Sequence, residues 1–270
     1  MNDQILHLGL LEDETISLDT AALELAALDH PGQDLSPYVE TLTAITERLA
    51  GLGGAAASND ARAKMLARVI GVEFGFAGDR DTYDDPENAD LIKVIDRRRG
   101  LPVSLAILYV AAARRMSWPA DALNTPGHVL VRIGADAAPV LIDPFNGGRV
   151  VTPDQLAALL APALGQGGAP ASRHIAPMEN RAVLVRLLLN QATRAEQAGN
   201  PLRALALYER MTIVSPGNGH AWWERARLEL LHEDVHAARA SLSAMLEMTR
   251  DPTLRAQVSA ALDSLAGTER

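Results

Sequence analysis

The chain contains no cysteine. Disulfides, thiolate metal sites and a cysteine nucleophile are therefore excluded at once. Aromatic residues are scarce, at 4%, so any core must be built largely from Ala, Leu and Val; Ala and Leu are strong helix formers. Positive charge is also in deficit, with a formal net charge of -9. A phosphate backbone is met by clustered Lys and Arg, so nucleic acid is not an expected partner. The longest apolar run, Leu105 to Ala113, is too short to span a bilayer. The opening Met1-Asn2-Asp3-Gln4 has no basic-then-apolar signal pattern. The expectation is a mostly helical cytoplasmic protein with no cofactor and no membrane contact.

At 270 residues the chain exceeds one typical core, so two domains are expected. Residues 14–50 read as helices, with Ser17 or Asp19 as a cap and a break at Pro31. Gly51 to Ala57 reads as a loop, and a helix follows from about Asn59 to Ile70. Asp85-Pro86 suits a helix start, and that helix should end in Arg97-Arg98-Arg99 before Gly100. Leu101 to Met116 is apolar on nearly every side, the mark of a helix buried within a domain. Then the period changes: Val129, Val131 and Ile133 alternate, Gly134 to Pro139 turns, and Val140 to Ile142 is a second short run. This predicts an antiparallel hairpin. The Gly/Pro/Ala-rich stretch 161–180 reads as a linker.

Beyond it the pattern repeats. Ala204, Tyr208 and Met211 recur 34 residues later as Ala238, Leu242 and Met245, the period of tetratricopeptide units. The units run about 186–219 and 220–253, with Ala192 and Ala226 where Gly is usual, and Leu254 to Leu265 as a capping helix. The expected fold is thus α+β over 1–160 with a small antiparallel sheet, then an all-α tail over 181–270.

One block carries a family likeness: Glu-Phe-Gly-Phe-Ala-Gly-Asp at 73–79, Tyr83, Asp85-Pro86, Asn88, Arg98-Arg99-Gly100-Leu101-Pro102-Val103-Ser104-Leu105, Pro126-Gly127-His128-Val129-Leu130-Val131 and Leu141-Ile142-Asp143-Pro144-Phe145-Asn146-Gly147-Gly148. It resembles the bacterial SirB-type proteins, which also carry a tetratricopeptide tail, and more widely the transglutaminase-like cysteine enzymes. The resemblance implies Cys at the start of a buried helix, His on the next strand and Asp on the strand after. A thiolate then attacks an amide, the imidazole moves the proton, and the carboxylate fixes its tautomer. His128 and Asp143 stand at the second and third positions, but Pro102 stands where Cys is wanted. Thiol chemistry is excluded. Two readings remain: a relic His128–Asp143 pair in an interaction or regulatory protein, or a hydrolase using Ser104, which lies two residues on and so roughly 200° around the helix.

Residues inside the block are candidates for a partner surface: Asp85, Asn88, Arg98, Arg99 and Asn146, with Trp223 in the tail. The first five have a plainer role as a cap, turn or dipole complement; of Trp222 and Trp223, one is expected in the repeat core and the other exposed. The acidic run 79–90 lacks the Gly and terminal Glu of a calcium loop. His232-Glu233-Asp234-Val235-His236 matches a zinc-hydrolase pattern in letters, but it falls at the expected turn between two helices. His174 and His220 complete no ligand set, so no metal is expected. The expected partner is a protein or peptide.

Overall fold

The computed structural model describes residues 2–52, 58–135, 138–162 and 175–267. Leu6–Leu10 forms helix α1. The chain divides into two compact units, Asp13–Val183, and Met1–Glu12 together with Leu184–Arg270. The first twelve residues thus group with the C-terminal helices, where the sequence placed them with the first domain. Their anchor is long-range: a Cβ at Gly9 would collide with the carbonyl of Ile213, so only glycine permits that approach.

In the unit Asp13–Val183, helices α2 (Leu18–Ala27), α3 (Ser36–Gly51) and α4 (Asn59–Leu66) lead into a π-helical turn at Ala67–Glu73. Ser17 holds the N-cap position of α2, yet its hydroxyl donates to Asp19 rather than capping the backbone. The expected helix from Asn59 to Ile70 therefore loosens near its end. There Gly71 passes so close to the Gly147 carbonyl that a Cβ would lie 2.6 Å away.

A two-stranded parallel pair joins β1 (Ala77–Gly78) to β2 (Arg99–Gly100). Between them the expected single helix from Asp85 is two pieces. Asp85 caps a 3-10 turn at Pro86–Ala89, and Asp90 caps α5 (Leu91–Arg97) by accepting from the Lys93 amide. Asp90 is also gripped by His30 Nε2 at 2.6 Å, a contact 60 residues away in sequence. Arg98, at φ 56°, ends α5 in the left-handed conformation expected of glycine.

Helix α6 (Pro102–Arg115) is buried from Pro102 to Ala113, as its all-round apolarity requires. Against it lies an antiparallel sheet in the order β3-β4-β5-β6, made of Ala120–Thr125, His128–Ile133, Val140–Asp143 and Arg149–Val150. The hairpin of β4 and β5 was expected; residues 136–137 of its turn lie outside the described residues. Strand β3 was not expected. Its sequence, Ala-Asp-Ala-Leu-Asn-Thr, has little intrinsic strand character. It is held on one side by β4 and on the other by bonds from Asn124 N to Ala176 O and from Met178 N to Ala122 O. Helix α7 (Pro153–Leu160) follows, begun by a capping box between Thr152 and Gln155.

Helix α8 (Asn180–Gln197) begins in this unit and from Leu184 belongs to the other, which continues with α9 (Pro201–Val214), α10 (Gly219–Leu231), α11 (Val235–Met248) and α12 (Pro252–Gly267). Helices α9 and α11 are both 14 residues long and begin at 201 and 235, one 34-residue period apart. Ala204, Tyr208, Met211, Ala238, Leu242 and Met245 are all buried, as are Ala192 and Ala226. Trp222 packs on a cluster of Ala226, Ala238, Leu242, Met245 and Val258.

Candidate functional site

Pro126 and Gly127, at φ 65°, turn the chain so that His128 is the first residue of β4. Asp143 is the last residue of β5. The register pairs Val131 with Ile142, so one step further Leu130 stands opposite Asp143. His128 shares the face of Leu130, since alternate residues do. The two side chains are therefore diagonal neighbours across the hairpin, within reach of a long side chain.

His128 Nε2 lies 2.9 Å from Asp143 Oδ1. Asp143 also begins the 3-10 turn Pro144–Asn146: its oxygens accept from the Asn146 amide at 3.2 Å and from Asn146 Nδ2 at 2.5 Å. Burial alone would raise the Asp143 pKa. The hydrogen bond and charge of His128, with the two Asn146 donors, outweigh it and hold the carboxyl below its ordinary value. An ionised Asp143 fixes the proton of a neutral His128 on Nε2 and leaves the basic lone pair on Nδ1. Such an imidazole is oriented as a base.

Groups that the sequence did not single out complete the surroundings. The Phe145 ring meets His128 edge-on at 5.9 Å and Tyr83 at 5.8 Å. Arg80 lies 5.4 Å over the same ring and donates to Asn146 Oδ1. Tyr109 of α6 is fully enclosed and its hydroxyl has no hydrogen-bond partner among the described residues; burial and the Asp143 charge push its pKa far up. Glycines mark two of these approaches: a Cβ at Gly148 would meet Tyr109 at 2.6 Å, and one at Gly78 would strike the Phe145 ring.

The position at the start of α6 to which the resemblance assigns a cysteine is a proline. Pro102 is the first residue of α6 and is buried. Ser104 is 0% exposed, and its hydroxyl lies 2.8 Å from the Asn88 carbonyl and 3.0 Å from that of Leu101. Its single proton is spent on main-chain acceptors, and no substrate reaches a fully enclosed oxygen.

The other candidates are dispersed. Asn88 is fully buried, its amide donating to Thr82 O at 2.7 Å, so it offers no surface to a partner. Asp85 accepts from the Glu87 amide and faces Arg97 at 3.5 Å. Arg97 also meets Asp79 at 3.0 Å and Glu87 at 3.1 Å, so the acidic run closes around this cation. Asp79, expected in a solvated loop, is buried; the Thr82 hydroxyl, chiefly, brings its pKa to about 2 against the opposing effect of burial. Arg98 lies 4.5 Å over the Phe76 ring, and Arg99 donates to the carbonyls of Gly75 and Arg98.

Asn146 alone of the proposed binding residues adjoins the pair. Beside it opens a cavity of about 320 Å³ whose lining includes Leu130, Asp143, Asn146 and Arg149. In the other unit, Trp223 is 37% exposed and borders an apolar depression of about 540 Å³ with Leu230, Leu231 and Ala261. His232 and His236 do not share a helix: α10 ends at Leu231, Glu233 is left-handed at φ 62°, and α11 begins at Val235. His174 lies outside the described residues.

Comparison with known proteins matches residues 36–189, more than half of the chain, to a family model described as the transglutaminase-like superfamily. The chain belongs to that superfamily. A UPF0162 protein of Xylella fastidiosa is 32% identical over 247 residues, 89% of this chain and 87% of the relative. One from Pseudomonas aeruginosa is 30% identical over 259 residues, 96% and 94% of the two chains. The protein SirB1 of Salmonella typhimurium is a distant relative, 23% identical over 246 residues, 91% and 90% of the two chains. The superfamily thus accounts for the helix-rich first unit and its small sheet. Among the described residues no helix is long and apolar enough to cross a membrane.

Proposed function

We propose that this superfamily member is a non-catalytic, SirB-type protein of the bacterial cytoplasm that works by binding another protein or peptide. One observation carries the reading: the His128–Asp143 pair is assembled at 2.9 Å, yet the chain has no cysteine and α6 starts with Pro102. An oriented base without a nucleophile performs no acyl transfer. The tail supports the binding role. Its equal helices at a 34-residue interval and its small-large-large buried positions fit two tetratricopeptide units and a capping helix, and such stacks present surfaces to peptides. A domain limit within residues 161–180 belongs to the same proposal.

The hydrolase alternative through Ser104 has no support from the placement of that hydroxyl. The test incubates the full chain with a glutamine-containing peptide and a primary amine, and follows the peptide by mass spectrometry. No deamidation, cross-linking or cleavage above the level of His128→Ala is the expected result. Turnover that His128→Ala or Ser104→Ala abolishes would overturn the non-catalytic reading.

A further inference from the structure

Several arginines of this unit are already matched to carboxylates. Arg97 meets three of them, Arg114 and Arg132 share Asp121, and Arg115 reaches Asp19. Arg80 and Arg149 differ. Both are exposed, and among the described residues neither makes an ion pair. They flank the same turn. Arg80 is fixed by Asn146 Oδ1 and by the Phe145 ring. Arg149 pairs in register with Asp143 across β5 and β6, and it lines the cavity of about 320 Å³ that Asn146 also borders.

The rest of the cavity defines what these cations would meet. Among the described residues Asp143 is the sole acid lining it, and its oxygens already accept from His128 and Asn146. Leu130, Val151 and Leu159 supply an apolar wall. The size lies at the lower end of ligand-binding pockets, suited to one side chain rather than a long segment. A guanidinium presents a planar fork of donors that matches a carboxylate bidentately. A phosphate dianion would bring a second negative charge toward Asp143 and would leave the apolar wall unfilled.

The geometry points to a binding site for a peptide C-terminus, with the terminal carboxylate at Arg149 and an apolar last side chain against Leu130, Val151 and Leu159. This rests on the reading of the cleft as a binding rather than a catalytic site. It specifies the chemistry of the partner at that cleft: an apolar residue with a free carboxylate. Asn146 takes a positioning role, holding Arg80 through Oδ1 and Asp143 through Nδ2.

The experiment titrates the full chain with acetyl-Ala-Leu bearing a free carboxylate, with the same peptide amidated, and with inorganic phosphate. Binding is read from the backbone amide NMR signals of Asn146, Arg149, Val150 and Gln155. Saturable shifts with the free acid are expected, with about tenfold weaker binding of the amide, as loss of a charge-assisted hydrogen-bonded pair implies. Arg149→Gln should abolish the preference for the acid, and Arg80→Gln should reduce it. Equal affinity for acid and amide, no saturable shift with either, or displacement of the peptide by phosphate at equal strength would each overturn the proposal. The peptide is recovered and weighed by mass spectrometry. Chemical change that His128→Ala prevents would refute the non-catalytic reading and leave the carboxylate site standing. An intact but unbound peptide would refute only the site.

Discussion

Gly147 and Gly148 are adjacent, have nearly the same backbone conformation, at φ 69° and 75°, and differ in what surrounds them. A Cβ at Gly147 meets nothing within 4 Å, whereas one at Gly148 meets Tyr109 Cε1 at 2.6 Å, its hydroxyl at 2.8 Å and the Cα of Ala67 at 3.0 Å. Alanine at either position carries the left-handed penalty of about 1–2 kcal/mol. Gly148→Ala adds overpacking against a buried ring and a backbone atom, typically about 1–3 kcal/mol. The change in unfolded-chain entropy is common to both variants and cancels in their difference. Gly148→Ala should therefore be the more destabilising by about 1–3 kcal/mol. Global unfolding is a poor assay, because a chain of two units need not unfold in one step. Native-state amide exchange in β4 and β5 reads the stability of the hairpin locally. Equal protection in the two variants would show that Tyr109 yields to the methyl group, and that the turn under Asp143 is not fixed by this contact.

Other perturbations test the charges and the cap. Asp79 is held at about 2, below its unfolded value, so its contribution is present above pH ~4 and is lost as the pH falls toward 2. Asp79→Asn should lower the melting temperature at neutral pH and flatten its acid dependence over that range; an unchanged slope would refute this. His128→Ala removes the principal effect lowering the Asp143 pKa and leaves burial to raise it. The Asp143 carboxyl carbon should then titrate at higher pH by NMR, and an unmoved midpoint would mean that Asn146 alone holds the charge. Asp13 accepts from the amides of Asn180 at 2.7 Å and Arg181 at 2.8 Å, capping α8 from 167 residues away in sequence. Asp13→Ala should cost about 1–2 kcal/mol, the usual worth of such a cap, read as faster amide exchange in the first turns of α8.

What was legible in the sequence was whatever is written locally. Helix α6 was plain because burial on all sides leaves no polar face. The β4–β5 hairpin was plain because alternation and a turn suffice to specify it, and those same strand ends position His128 and Asp143. What was missed depends on distant partners. Strand β3 exists through β4 on one side and residues 176–178 on the other. The helix expected from Asp85 is broken at Asp90, which answers to His30. Arg80 carried no signal of its own in the sequence, and only the fold sets it on Phe145 and Asn146.

The presence of an assembled His–Asp pair says less about catalysis than the family pattern suggests. Asp143 accepts from the imidazole, from the Asn146 amide and from the Asn146 side chain, and its own carbonyl accepts from Gly148 N at 2.8 Å. It is thus the joint between β5 and the turn that carries Phe145 and Asn146. His128 supplies an opposite charge when protonated and a hydrogen bond when neutral, and so compensates the burial of that carboxylate. Replacing either residue with a small one would strand a partly buried polar group, a cost of about 1–3 kcal/mol. The pair therefore stabilises the turn whether or not chemistry takes place. Cysteine at the start of α6 is under no such structural demand: proline is favoured at the first helical position, where its missing N–H is no loss, and Pro102 occupies it. The first position of α6 thus accepts proline at little structural cost, whereas replacing either member of the pair strands the other.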